Sequence, residues 1–143
     1  MKSTIYKIAV FPLIFAILLT MFSCSGEIDS YSATMLVRSA SDNKGEISFG
    51  SFSGRVSLNV KNTYTQDTNL SVTATLEEGE ASVYYRGSAQ GVECHLFDIS
   101  GLETFSETDV GYLTNGEDFK IIIKTPDGKS AKGGKVTVTV NEP

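Results

Sequence analysis

Asn69-Leu70-Ser71-Val72-Thr73-Ala74-Thr75-Leu76-Glu77-Glu78-Gly79-Glu80 is the stretch that decides how this chain folds. Leu70, Val72, Ala74 and Leu76 fall on every second position, with Ser71, Thr73 and Thr75 between them. Side chains of an extended strand alternate between its two faces, so this spacing gives one apolar and one hydroxyl-bearing face. Residues 77–79 then read as a tight turn, with Gly79 free to take a positive φ. The pattern returns near the C-terminus, where Val136, Val138 and Val140 alternate with Lys135, Thr137 and Thr139.

Working outward, the same rule predicts strands at about 33–38, 46–52 (with Gly50 as a bulge), 55–61, 69–76, 80–86, 91–98, 117–124 and 134–140. Residues 62–68 are a polar loop. Segment 99–116 is less regular and holds one short strand near 108–113. Thr125-Pro126-Asp127-Gly128 is a turn signal. It makes 117–140 read as a solvated hairpin carrying Lys124, Lys129, Lys132 and Lys135. Beyond residue 33 no segment shows a sustained 3.6-residue period, and nothing repeats at a fixed interval. Short strands with one apolar face each bury that face by pairing two sheets. The fold class is therefore all-β: a single antiparallel β-sandwich, jelly-roll or Ig-like, of about eight strands, with a closed barrel as the alternative. Its inward set is Val56, Leu58, Val60, Leu70, Val72, Leu76, Val83, Leu96, Phe119, Ile121, Ile123, Val136 and Val138.

The N-terminus has a different character. Lys2 and Lys7 precede an apolar run at 8–22, broken only by Pro12 and Thr20. The run is shorter than the roughly 20 residues a membrane-spanning helix needs, and Pro12 suits a removable leader better than a permanent span. Residues 25–32 are polar and acidic and read as a solvated tether. The organisation is thus a removable N-terminal leader, a polar tether reaching to residue 32 and a β-sandwich at 33–143.

Charge and chemistry narrow the function. The chain has 12 Lys and Arg against 17 Asp and Glu, for a net charge of −5. The leader holds two of the lysines and none of the acids, so the acidic excess grows once it is removed. With no basic run, nucleic acid is not an expected partner. If Cys24 is modified, Cys94 has no partner for an internal disulfide and reads as a small buried hydrophobe. His95 is the only histidine. Cys94 and His95 are adjacent in a strand and point to opposite faces, so they do not form a nucleophile–base pair. No nucleophile-elbow, zincin, dithiol or phosphate-loop motif occurs. His and Cys are too few for zinc. The acids at Glu77, Glu78, Glu80, Asp98, Glu103, Glu107 and Asp109 lack EF-hand spacing and read as solvated. No catalytic residue, metal site or cofactor is expected.

The best candidate surface comes from register. A hairpin closed by 87–90, with Arg86 opposite Gly91, sets Tyr85 opposite Val92 and Val83 opposite Cys94 on the apolar face. It sets Tyr84 opposite Glu93 and Ser82 opposite His95 on the outer face. Tyr84, Arg86, Glu93, His95 and Phe97 then make an aromatic and charged patch suited to sugar or protein recognition. Cross-strand stabilisation, about 0.2–1 kcal/mol per pair, is the plainer use of the same residues.

Two resemblances add to this reading. Met21-Phe22-Ser23-Cys24 resembles the lipobox of bacterial lipoproteins, in the looser form seen in Bacteroidetes, where signal peptidase II cuts before a cysteine that becomes lipid-modified; it implies a signal peptide at 1–23 and a tether at 24–32. The resemblance implies acyl chains on Cys24, each buried CH₂ contributing about 0.8 kcal/mol to membrane attachment. It also implies a bacterial cell-envelope location, most simply the outer membrane on its periplasmic or surface face, with Glu27 and Asp29 a weak version of a surface-export signal. The order of Phe52-Ser53-Gly54, the 69–76 strand, Glu78-Gly79-Glu80, Leu96-Phe97-Asp98, Asn115-Gly116-Glu117-Asp118-Phe119, Pro126-Asp127-Gly128-Lys129 and the 134–140 strand resembles jelly-roll-like sandwiches such as prepeptidase C-terminal domains. That resemblance implies a non-catalytic appendage and carries over no functional residue. Together these readings describe a membrane-anchored lipoprotein with a binding or accessory module. Its expected partners are the membrane, through Cys24, and a glycan or envelope protein. A structural component using an exposed strand edge, or a surface-presented hydrolase inhibitor, are the alternatives.

Overall fold

In the computed structural model, residues 29–89 and 91–143 are described; the leader and Cys24 lie outside them. Among the described residues there are nine strands and no helix: β1 Ser30–Thr34, β2 Val37–Ser41, β3 Lys44–Val60, β4 Thr68–Thr75, β5 Glu80–Gly87, β6 Cys94–Ser100, β7 Thr104–Leu113, β8 Phe119–Lys124 and β9 Ala131–Val140. All pairings are antiparallel.

The strands read separately at 46–52 and 55–61 are one 17-residue strand, β3. Gly50 is not a bulge, because the pairing with β9 keeps one register from Phe49↔Gly134 to Ser51↔Lys132. The irregularity lies in its neighbour instead. The strand read at 33–38 divides into β1 and β2 at Met35, which takes a φ of 53°.

β3 organises everything else. Phe52 pairs with Ala33 and with Ala131, and Arg55 pairs with Ser30 and with Lys124. A strand has two edges, so β1 lies along one and β9, then β8, lie along the other. β8 and β9 are therefore not hairpin partners, contrary to the reading of 117–140. Both run antiparallel to β3 in the same direction, and the 125–130 link is an excursion between them rather than a reversal. Within it the Lys129 amide donates to the Pro126 carbonyl at 3.0 Å. The 77–79 turn also differs from its sequence reading. β4 pairs with β7 and β9, while β5 pairs with β6 and β8, so the turn carries the chain from one sheet to the other.

Two sheets result, β1-β3-β8-β5-β6 and β2-β3-β9-β4-β7, sharing β3. Their far ends meet. Phe97 of β6 stacks on Phe105 of β7 with ring centroids 3.8 Å apart and planes 9° from parallel. The Tyr112 amide donates to the Tyr85 hydroxyl at 3.0 Å, joining β7 to β5. The fold is thus an antiparallel β-sandwich. Of the predicted inward set, only Leu58 and Leu96 are not fully buried, and both pack against the core. β7 is longer than the short strand read near 108–113. It is an edge strand exposed on both faces from Ser106 to Asp109, and its pairing with β4 carries two register shifts. Those features erase the alternation that sequence reading relies on.

The body also begins earlier than the tether 24–32 implied. β1 starts at Ser30, and the Asp29 carboxylate accepts the Ser57 hydroxyl at 2.7 Å and a guanidinium N–H from each of Arg55 and Arg38 at 3.3 Å.

Gly54 is the corner where β3 leaves β9 and meets β8. Its φ is 111°, and a Cβ there would lie 2.2 Å from the Ser30 carbonyl oxygen. Thr125 serves its backbone on the open edge. The Gly54 amide donates to Thr125 Oγ1 at 2.8 Å, and the Thr125 amide donates to the Gly54 carbonyl at 3.0 Å. Gly128 has a φ of 72° but open space around it. Gly54→Ala is expected to destabilise by about 3 kcal/mol and Gly128→Ala by about 1 kcal/mol, since only the first adds a collision to the dihedral cost. Urea denaturation of both variants checks this; equal losses would remove Gly54 from its role as the corner.

Candidate binding face

The outer face of the β1-β3-β8-β5-β6 sheet is built from three aligned rows. Ser82, Lys124 and Arg55 form one, Tyr84, Ile122 and Ser57 the next, and Arg86, Lys120 and Asn59 the third. Ile122 stands out in this array. Ile121 and Ile123 face the core, so alternation turns Ile122 outward, yet it is 0% exposed. An apolar side chain on this face is thus fully shielded from solvent.

Those groups are tied together. Glu93 accepts a short hydrogen bond from the Lys124 ammonium and another from Arg55 Nη2 at 2.6 Å. The Arg55 and Glu93 side chains are each 16% exposed, so their attraction is less screened than that of a surface pair. Lys124 Nζ lies 4.6 Å from the centroid of the Tyr84 ring, a cation–π contact. Tyr84 in turn meets His95 edge-on at 5.2 Å. His95 Nε2 is 2.9 Å from Asp98 Oδ1, which also accepts the Ser82 hydroxyl at 2.6 Å. The Ser82 hydroxyl first, then His95, hold the Asp98 carboxyl below the usual carboxylate range.

The β5–β6 register differs from the sequence reading. Tyr85 pairs with Cys94, Tyr84 with His95, Val83 with Phe97 and Ser82 with Asp98, with a register shift between Val83 and Tyr84. Leu96 is the extra residue. The shift restarts the alternation, so Phe97 turns inward and is only 6% exposed. Phe97 therefore leaves the expected patch and joins the core against Phe105. Val92, read as inward, is 64% exposed. The sequence did hold a signal: Leu96-Phe97 places two apolar residues side by side in an otherwise alternating strand, as a bulge does. Tyr84, Glu93 and His95 remain together within the network. Arg55, Lys124, Ile122 and Asp29 were missed, because nothing local in the sequence pairs β5 with β8 or β8 with β3.

Arg86 sits at the end of this face, where a cavity of about 620 Å³ opens. Asn59, Lys61, Arg86, Ser88, Asp118 and Lys120 supply its polar lining. Its rim is fastened from behind. The Glu117 carboxylate, 8% exposed, accepts the Ala89 amide at 2.7 Å and the Thr114 amide at 3.0 Å. The Ser88 amide donates to the Asp118 carbonyl at 2.9 Å, and the Asp118 side chain accepts the Asn62 amide at 3.0 Å. Among the described residues no group of three or more His, Cys, Asp or Glu is arranged to hold a metal ion.

Neither a known protein family nor a curated protein matches the chain. Solved structures overlap it loosely. A mutant of a family 29 carbohydrate-binding module is 14% identical, covering 80% of this chain and 73% of its own at a TM-score of 0.42. Another mutant of that module, complexed with mannohexaose, is 15% identical over 81% of this chain and 79% of its own, at 0.43. A ruminal GH26 endo-β-1,4-mannanase is 16% identical over 67% of this chain and 19% of its own, also at 0.43. Overlaps this loose carry no weight for ligand or activity.

Two outcomes follow from the geometry. Phe97→Ala is expected to destabilise by about 3–5 kcal/mol, as loss of a buried stacked ring does; a change under about 1 kcal/mol in urea denaturation would return Phe97 to the surface. Ser82→Ala is expected to raise the Asp98 pKa toward its ordinary value, read by NMR titration. In the native protein Asp98 has a folded pKa below its unfolded one. Its contribution to stability is present above the unfolded value and fades as pH falls through the folded value. An unmoved Asp98 titration in Ser82→Ala would remove the hydroxyl as the cause.

Proposed function

We propose that this chain is a non-catalytic binding module, tethered to a bacterial envelope membrane by lipid on Cys24, which takes a glycan on the outer face of β5, β8 and β3. The observation that carries the reading is the roughly 620 Å³ cavity on a face whose side chains are already ordered. Small-ligand sites occupy about 300–1,000 Å³ and bind well when little must be immobilised on contact. Arg55 and Lys124 fix Glu93, and Lys124 and His95 fix Tyr84, before any ligand arrives. The aromatic and polar mixture suits sugar rings, which present both C–H faces and hydroxyls. Catalysis has no support among these residues: Asp98 holds His95 Nε2, and the neighbouring Ser82 hydroxyl donates to the same Asp98 oxygen rather than to the imidazole.

The anchor fits the architecture. Asp29 is clamped by Arg38, Arg55 and Ser57, so only residues 25–28 lie between it and Cys24. Those residues span at most about 18 Å, which keeps the module close to the membrane. A second reading, a structural partner in an envelope assembly, is favoured by one feature. β1 and β2 pair only with β3 among the described strands, and beside that open edge Met35 is 83% and Val37 57% exposed.

Mass spectrometry of the native protein tests the anchor; a diacyl- or triacyl-cysteine at Cys24 is expected, and a bare thiol or an uncleaved leader overturns it. A glycan array probed with the full chain tests the module. Tyr84→Ala is expected to weaken the captured glycan at least about fivefold with the fold intact by circular dichroism, in line with the modest worth of one aromatic contact. Unchanged affinity would make Tyr84 a purely structural residue.

A further inference from the structure

We propose that the cavity beside Arg86 receives an acidic sugar, with Lys120 and Lys61 holding the carboxylate of a uronic-acid residue. The inference rests on the glycan reading above and names the sugar class. Arg86 and Lys120 are cross-strand neighbours on β5 and β8, Asn59 continues their row on β3, and Lys61 follows directly after β3. All four line the same cavity. Lys61 and Lys120 thus lie beside Arg86 and the Asp118 carboxylate, one oxygen of which already accepts the Asn62 amide, while the Glu117 carboxylate behind the rim is occupied by the Ala89 and Thr114 amides.

This concentration of positive charge runs against the composition. The chain is acidic overall, with a net charge of −5. Lysines elsewhere on β8, on β9 and on the link between them are matched with acids: Lys124 with Glu93, Lys129 with Glu80, Lys132 with Glu78 and Lys135 with Glu46. Lys61 and Lys120 make no ion pair among the described residues. Two ammonium groups with no internal partner, in a concave site beside a guanidinium, focus a positive potential that an incoming anion can satisfy. A carboxylate accepts charge-assisted hydrogen bonds from ammonium groups. The Asn59 amide and Ser88 hydroxyl on the same lining offer hydrogen bonds to ring hydroxyls. A neutral oligosaccharide would leave the two ammonium groups without a counter-charge, whereas a uronic-acid residue supplies one.

The test uses the full chain and isothermal titration calorimetry with oligogalacturonate, oligomannuronate, their methyl esters and inorganic phosphate. The esters keep the sugar and remove the charge. At least one acidic oligosaccharide is expected to bind about tenfold tighter than its ester, and to weaken as sodium chloride rises. Lys120→Gln and Lys61→Gln are each expected to lower that affinity about three- to tenfold and to flatten its salt dependence, with unchanged thermal unfolding; Lys120→Arg keeps most of it. Equal affinity for acid and ester overturns the acidic-sugar proposal while the glycan reading stands. Phosphate binding as tightly as the oligosaccharide overturns it in favour of a general anion site. If the array and calorimetry find no glycan of any kind, both readings fall.

Discussion

Both sheets hang on one strand. Lys44–Val60 is long enough to serve as an interior strand twice, and along most of its length it has neighbours on both edges. The chain can share a strand between two layers only if that strand bends where its partners change. Gly54 supplies the bend because it has no Cβ to strike the Ser30 carbonyl. Thr125 then bonds the Gly54 amide and carbonyl on the edge where β9 departs and β8 arrives. The two halves of the sandwich are therefore fixed to one another covalently as well as by packing. The edge strands far from this spine, β6 and β7, are brought face to face through Phe97, Phe105, Tyr85 and Tyr112.

The same spine determines the character of the outer face. β3 contributes Arg55 and Ser57 between the N-terminal Asp29 on one side and Lys124 on the other. Glu93 reaches this cluster from just before β6 and ties β3 to β8 through Arg55 and Lys124. Half-buried ion pairs of this kind add little net stability, because desolvation offsets much of the attraction, but removing one partner exposes the full cost of the other. Their consequence is order: they hold Tyr84 and Glu93 in place on the face to which Ile122 belongs. A face stiffened in this way meets a ligand with little entropy left to lose.

Lysine distribution separates structural from available charge. Along β9 and the 125–130 link, cations lie against the acids of strands that pack beside them, and the acidic 77–80 turn is balanced by Lys132 and Lys129. At Lys61 and Lys120 the matching stops, and both line the cavity at the end of the face. Composition alone points the other way, since an acidic chain offers no reason to look for a cationic site.

Alternation in the sequence determined the strands and most of the core, because it is a local consequence of the pleat. Leu70, Val72 and Leu76, or Val136 and Val138, need no knowledge of their partners to reveal which way they face. The adjacent pair Leu96-Phe97 shows the limit of that rule, since a single inserted residue turns Phe97 from outside to inside. Which strands lie side by side was not written locally. β8 and β9 look like a hairpin around Pro126-Asp127-Gly128, and only the length of β3 makes them successive occupants of one edge. Strand pairing is a contest among distant segments for the same backbone hydrogen bonds, decided by how all edges can be satisfied at once. The tertiary structure alone therefore assembled Arg55, Glu93, Lys124 and Tyr84, and gathered Lys61, Arg86 and Lys120 around one cavity.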